Sequence, residues 1–298
     1  MKALTQVCTK LDDRLTNEQV HYVYDSFMIA LDDYTLDRRG DVGAWVREAA
    51  LTGLELFTLK LLQAESSRIP ATIVGQFMPL LVQQAVEKID RTRGHAGRIF
   101  HSLLHADHHG ITVPGIPNRE ELQAIFPKGC DLKWAVESET FPLFVKLLQL
   151  TAYSERLLLG LVVSVGGLTE RLVKNSSKSL FHELETMGLA ELKVFCNNIL
   201  KLFRLYQKND RVTIPFLKFL DQVLTTSCLS PFLEDIDAEF PVSLFTICKS
   251  EITKCGDPNK LMASSEVFCQ LLQVNLLSLI INVNYIRCEC KKVFFVYI

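Results

Sequence analysis

The stretch from Asp41 to Leu62 constrains this chain more than any other. Val42, Val46, Ala49, Gly53, Phe57 and Leu61 recur at gaps of three and four, and Trp45, Leu54 and Leu56 widen the apolar arc beyond one stripe. A helix apolar around so much of its circumference has to lie between neighbours, so the spacing predicts stacked helices rather than one helix on a surface. Asp41 follows Gly40 and stands ahead of the run, where its carboxylate can accept from the free N–H groups of a first turn. Small residues at Gly43, Ala44, Ala49, Ala50 and Gly53 permit close approach by other helices. Arg47, six positions past Asp41, is within reach of that carboxylate or of its counterpart in an adjacent unit. Asp41, Trp45 and Arg47 are therefore read as structural, with Trp45 in the core.

The rest of the chain repeats the pattern. Residues 17–31 carry Val20, Val23, Tyr24, Phe27, Met28 and Leu31 at helical spacing, and a polar turn from Asp32 to Gly40 links them to the central helix as a first antiparallel pair. Pro70 suits a first helical turn before Ile73, Phe77, Leu80, Leu81 and Val86. Ile89 to His105 completes a second pair. Pro114, Gly115 and Pro117 make a loop between Asp107 and Asn118, followed by short helical patterns at Arg119–Phe126 and Phe144–Leu150 and an apolar run from Leu157 to Val165. Helices are then expected at Leu168–Val173, Ser179–Leu184, Leu189–Tyr206, Ile214–Leu224, Val242–Ile252 and Leu261–Leu272. No strand-and-turn alternation stands out. Pairs recur at roughly 40 residues, the period of HEAT and armadillo repeats, and the Asp41…Arg47 pattern is typical of the second helix of a HEAT-type unit. The expected fold is all-α: a HEAT/armadillo-like α-solenoid, a right-handed stack of five or six antiparallel helix pairs over residues 1–274. Residues 275–298 differ in texture and are expected to form a divergent, irregular tail.

Charge and cysteine usage narrow the function. A formal net charge of -2 provides no overall basic field, so nucleic acid or anionic lipid could bind only through a local patch. The apolar runs fall short of the ~20 residues a bilayer needs, which argues against membrane insertion. The nine cysteines are widely spaced with no C-x-x-C pair, which points to a reducing compartment; the first 13 residues lack the apolar core of a secretory signal, and the sequon at Asn175 would go unread.

No nucleotide-binding glycine motif, nucleophile elbow or carboxylate pair is present, so neither a catalytic residue nor a cofactor is expected. His101 and His105 lie four apart, with Asp107, His108 and His109 beyond, which makes a zinc site conceivable. Ser102 stands where an H-E-x-x-H site has its glutamate, and solvated histidines at a helix end fit better. Glu87, Lys88, Asp90, Arg91 and Arg93 form a mixed-charge run, read as a solvated face of weak ion pairs or as a polar contact surface for a partner. Trp134, beside a loop, is an equal candidate for core or for a partner anchor.

Four phrases together resemble the carboxy-terminal region of the tubulin-folding cofactor D family. They are RGDVGAWVREAAL at 39–51, QQAVEKIDRTRGHAGRIFHSLLH at 83–105, LLLGLVVSVGGLTE at 157–170 with SLF at 179–181, and VTIPFLKFLDQVL at 212–224. The resemblance runs from about residue 20 to Val274, with divergence near 106–140. It implies an α-solenoid chaperone that captures β-tubulin, works with other tubulin-folding cofactors and a small Arf-like GTPase, and helps assemble and take apart the α/β-tubulin heterodimer while stimulating GTP hydrolysis by tubulin. It further implies a cytoplasmic, cytoskeleton-associated protein, found also at the centrosome and cell junctions. None of the matching phrases is a reaction motif, so the expected role is protein binding. A HEAT adaptor with another cytosolic partner is the alternative.

Overall fold

The computed structural model describes residues 1–11, 14–233, 238–253 and 255–274. The expected irregular tail at 275–298 lies outside them. Within the span read as one array, the chain divides into two compact units, Met1–Glu183 and Leu184–Ile298.

The first unit holds α1 (Lys2–Lys10), α2 (Asn17–Leu31), the hairpin β1 (Leu36–Asp37) and β2 (Gly40–Asp41), α3 (Gly43–Glu65), α4 (Ala71–Ala85), α5 (Asp90–Leu104), the hairpin β3 (Asp107–His108) and β4 (Ile111–Thr112), α6 (Arg119–Ile125), α7 (Glu137–Phe144), α8 (Thr151–Val165) and most of α9 (Glu170–Thr186). A capping box starts α2, in which the Thr16 hydroxyl accepts from Gln19 N–H at 3.2 Å and the Gln19 side chain accepts from Thr16 N–H at 2.8 Å. α3 is sandwiched as its composition requires, against α1, α2 and α5. Leu51, Leu54, Phe57 and Leu61 are fully buried on it, each worth roughly 1.5–3 kcal/mol of transfer free energy. Gly53 shows why small residues matter here: a Cβ at that position would come within 2.4 Å of the Phe27 ring and 2.5 Å of the Thr5 hydroxyl.

Register identifies the architecture. Tyr24 of α2 meets Phe57 of its pair-mate α3 at 5.2 Å between ring centroids and Phe77 of α4 at 5.8 Å. Gln84 of α4 donates to the Leu31 carbonyl, one further step along both chains, so α2 and α4 run parallel. Between α3 and α5 the pairs Glu48–Arg91, Thr52–His95 and Glu55–Arg98 advance together, so these helices are parallel too. The Ser164 hydroxyl of α8 donates to the Val86 carbonyl at the end of α4, which continues the first layer. Antiparallel pairs whose first helices stack on first helices and second on second are the arrangement of HEAT-type repeats.

The second unit obeys the same rule with α10 (Leu189–Leu205), α11 (Asp210–Leu224), the single turn α12 (Ser230–Leu233), α13 (Glu239–Ile252) and α14 (Pro258–Val274). Phe203 and Phe216 stack at 4.8 Å within the first pair, and Phe245 meets Phe268 at 5.2 Å within the second. Arg204 donates to Ser243 and Lys208 N–H to Glu251, which sets α10 parallel to α13. Lys260–Asp210 and Gln270–Asp221 do the same for α11 and α14.

Four local readings change. Trp45 is 53% exposed rather than in the core, because α3 buries the arc of Leu51, Leu54, Phe57 and Leu61 and leaves the strip that carries Trp45 at the surface. Two short antiparallel hairpins, β1–β2 and β3–β4, occupy loops read as strand-free. Lys2–Lys10, read only as lacking a signal, forms α1. The segments Leu168–Val173 and Ser179–Leu184 are joined in α9, where the Ser177 and Ser179 hydroxyls bond back to the Val173 and Asn175 carbonyls of the preceding turn instead of drawing the backbone into a turn. No described helix is long and apolar enough to cross a membrane.

Candidate partner-binding surface

Two buried arginines organise the first unit. Arg47 is fully buried; it donates to both Asp41 carboxylate oxygens at 3.2 and 3.1 Å and to the Asp33 carbonyl at 2.7 Å, with its guanidinium 4.2 Å from the Tyr34 ring centre. Asp41 also accepts from Ala44 N–H at 3.2 Å, so one carboxylate serves as helix cap and as counter-ion. Tyr34 donates to Glu87 and accepts from Gln83 and Gln84, both at 3.0 Å. Burial and the Glu87 charge push the Tyr34 hydroxyl well above its ordinary pKa, which keeps it a donor.

Arg93 repeats Arg47 one unit later. It donates to the Glu87 carbonyl at 2.9 Å, the Ala135 carbonyl at 3.0 Å and the Glu137 carboxylate at 2.9 Å. Glu87 and Arg93 have the same six-residue spacing as Asp41 and Arg47, and the interval between the arginines falls within the roughly 40–47 residues of a HEAT-type unit. Burial lowers the pKa of Arg93 despite Glu137. For Arg47, burial works the same way but the bonds to Asp41 and the nearby Glu87 and Tyr34 outweigh it, so its pKa rises.

The charged run is therefore not one solvated face. Glu87 and Arg93 are each 1% exposed and tie adjacent units together, which removes them as partner contacts; Lys88, Asp90 and Arg91 remain at the surface. Arg91 pairs with Glu48 of α3 at 2.6 Å, and Thr92 donates to the same carboxylate at 2.9 Å. With Thr52–His95 at 3.3 Å and the two-bond pair Arg98–Glu55 at 3.0 and 3.1 Å, these make a polar ladder along α3 and α5. Trp45, Glu48, Thr52 and Leu56 share one strip of α3 beside it, and Leu56 is 47% exposed. At its upper end the Arg39 guanidinium lies 5.2 Å over the Trp45 ring, and Leu36 is exposed nearby on β1. Arg39, Glu48, His95 and Arg98 went unnoticed in the sequence; the advance of three or four residues shared by Glu48, Thr52 and Glu55 with Arg91, His95 and Arg98 was the available signal.

Trp134 is half-buried against α5. A Cβ on Gly97 would fall 2.6 Å from its ring, and His101 and Phe126 lie 5.3 and 6.1 Å away between centroids. The ring seals the segment before α7 onto α5. His101 and His105 lie 4.5 Å apart between ring centroids with their planes tilted by 56°, and their Nε2 atoms stand 3.1 and 2.7 Å from the Pro127 and Phe126 carbonyls, to which they donate. Among the described residues no three His, Cys, Asp or Glu side chains converge to hold a metal, so the zinc alternative at His101 and His105 finds no third ligand there. Cys130 Sγ lies 3.4 Å from His101 Nε2, yet burial raises its pKa and keeps it a thiol, the unreactive form. The arrangement is suited to binding: an aromatic ring, exposed aliphatic residues and charges of both signs on a rigid two-helix face.

A family described as "Tubulin folding cofactor D C terminal" matches residues 75–260 of the chain. "Tubulin-specific chaperone D" of Dictyostelium discoideum is 30% identical over 176 residues, an alignment that covers 53% of this chain and 12% of that protein. The chain thus matches only a small part of its relative's length.

Proposed function

Because the chain belongs to the tubulin folding cofactor D C-terminal family, we propose that it acts in tubulin folding as a protein-binding element without catalytic chemistry of its own. On this reading it binds β-tubulin and other tubulin-folding cofactors during assembly and disassembly of the α/β-tubulin heterodimer, in the cytoplasm and in association with the cytoskeleton. A small Arf-like GTPase belongs to the same assembly. Stimulation of GTP hydrolysis by tubulin is a property of that assembly, to which the chain contributes surface rather than a reacting group. The observation that carries the reading is the family match over most of α4 to α14; the two-layer stacking of both units supports it, since such stacks offer long surfaces to a protein client.

Within the first unit, the contact face of this proposal is the exposed strip of α3 and α5, with Trp45, Lys88, Asp90 and Arg91 as contacts and the free edge of Trp134 at its far side. The test is capture of purified native tubulin by the full chain, compared with Trp45→Ala and Arg91→Glu. Retention of tubulin, reduced at least fivefold by either substitution with circular dichroism unchanged, is the expected result. Full retention by both variants removes this face from the proposal, and no retention by the unaltered chain removes tubulin as its direct partner.

A further inference from the structure

One end of the first unit carries a groove that neither the motif reading nor the family match assigns. The short helix α1 lies along α3. Its Thr5 hydroxyl is level with Gly53, 2.5 Å from where a Cβ would stand there, and Cys8 is close enough to the Tyr24 hydroxyl to act on it electrostatically, at the level of Phe57 and Thr58. The two helices advance together, so α1 runs parallel to α3, as α3 does to α5. It therefore holds the place of a second helix in a pair, and among the described residues it has no antiparallel mate.

The place such a mate would take, beside α1 and stacked on α2, is lined by apolar side chains. On α2, Tyr24 and the Leu31 carbonyl meet α4. Tyr22 and Ile29 stand two positions before them, a rotation of ~200° about the helix, so they face away from α4; they are 61% and 74% exposed. Ser26, between them, donates to the Tyr22 carbonyl at 2.7 Å and the Tyr22 hydroxyl donates to Glu18 at 3.2 Å, so this strip offers mainly apolar surface. On α1, Leu4 and Leu11 share the stripe of Cys8, the residue turned toward α2, and Val7 borders them; Val7 and Leu11 are exposed. We infer that this groove between α1 and α2 receives an amphipathic helix of a protein partner, laid antiparallel to α1 and parallel to α2. Continuity of the two layers carries the assignment: α2 itself holds the equivalent place one pair later, antiparallel beside α3 and stacked on α4 through Tyr24. The nine residues of α1 span ~14 Å, which an occupant of about ten residues with apolar side chains at gaps of three and four matches. An extended segment would turn unpaired N–H and C=O groups onto aliphatic side chains, whereas a helix satisfies them internally.

The test is fluorescence anisotropy with the full chain and a labelled peptide of residues 16–31, the α2 sequence, since α2 fills the equivalent place in the next pair. The peptide is expected to bind, and its Tyr24→Ser/Phe27→Ser form is not. The pair Val7→Glu/Ile29→Glu in the chain is expected to weaken binding at least fivefold with circular dichroism unchanged. The pair Leu168→Glu/Leu189→Glu, at exposed leucines outside the groove, alters net charge equally and is expected to change binding less than twofold. No binding by the unaltered chain, or equal weakening by both pairs, overturns the inference. Sedimentation of the chain alone gives the competing occupant: a dimer that Val7→Glu/Ile29→Glu dissociates assigns the groove to a second copy and overturns the partner helix.

Discussion

Replacing Arg93 with alanine tests the claim that this residue is a structural tie rather than a surface contact. Arg93 is 1% exposed and satisfies the Glu87 and Ala135 carbonyls and the Glu137 carboxylate. Without it, Glu137 keeps only Arg171 at 3.1 Å, a side chain 69% exposed and largely screened. Removing one partner of a buried pair costs about 3–5 kcal/mol, whereas the exposed Arg91–Glu48 pair is worth about 0–1 kcal/mol. Arg93→Ala should therefore lower the midpoint of first-unit unfolding by about 6–20 °C, at about 2–4 °C per kcal/mol for a unit of this size, and Arg91→Ala by no more than about 4 °C. The chain's two tryptophans, Trp45 and Trp134, both lie in the first unit, so tryptophan fluorescence during a thermal or urea scan reports that unit alone. A shift for Arg93→Ala no larger than that for Arg91→Ala would refute the assignment. Full additivity of Arg93→Ala with Glu137→Gln would refute the pairing itself, because contacting residues couple and independent ones do not.

Gly97→Ala places a methyl 2.6 Å from the Trp134 ring and should cost about 1–3 kcal/mol as the ring is pushed outward, with a red-shifted emission maximum; an unshifted spectrum would show that Trp134 does not pack there. His95 has its pKa lowered from 6.5 by burial and by Arg98, against the opposing charges of Glu48 and Glu55, so the folded state binds its proton less readily than the unfolded chain does. Its contribution is whole above pH 6.5 and is lost as pH falls from there through the lowered folded value; His95→Gln should flatten the stability–pH curve in that window, and an unchanged curve would exclude His95 as the titrating group. Among the described cysteines, the exposed Cys269 should react first with a maleimide. Cys8, pushed up to about 11 by burial, and Cys196, up to about 12, should stay unlabelled until denaturant is added, as peptide mapping would reveal.

The sequence by itself determined that the chain is helical, where most helices lie, and that they pair. Apolar spacing is a local property: α2 was legible at both ends, α5 and α10 to within a residue, and the Asp41–Arg47 bond from its six-residue interval. Tertiary structure decided which arc of each helix is covered. Trp45 sits among apolar neighbours in sequence yet stands 53% exposed on the strip it shares with Glu48 and Thr52, while Arg93, in a run that looks solvated, is enclosed by residues more than 40 positions ahead, at Ala135 and Glu137. Tyr34 meets Glu87, Gln83 and Gln84 across a similar interval. The physical reason is that a buried polar group is tolerated where specific partners satisfy it, and in a stack of helix pairs those partners come from the next pair. Periodicity within one helix carries no information about them.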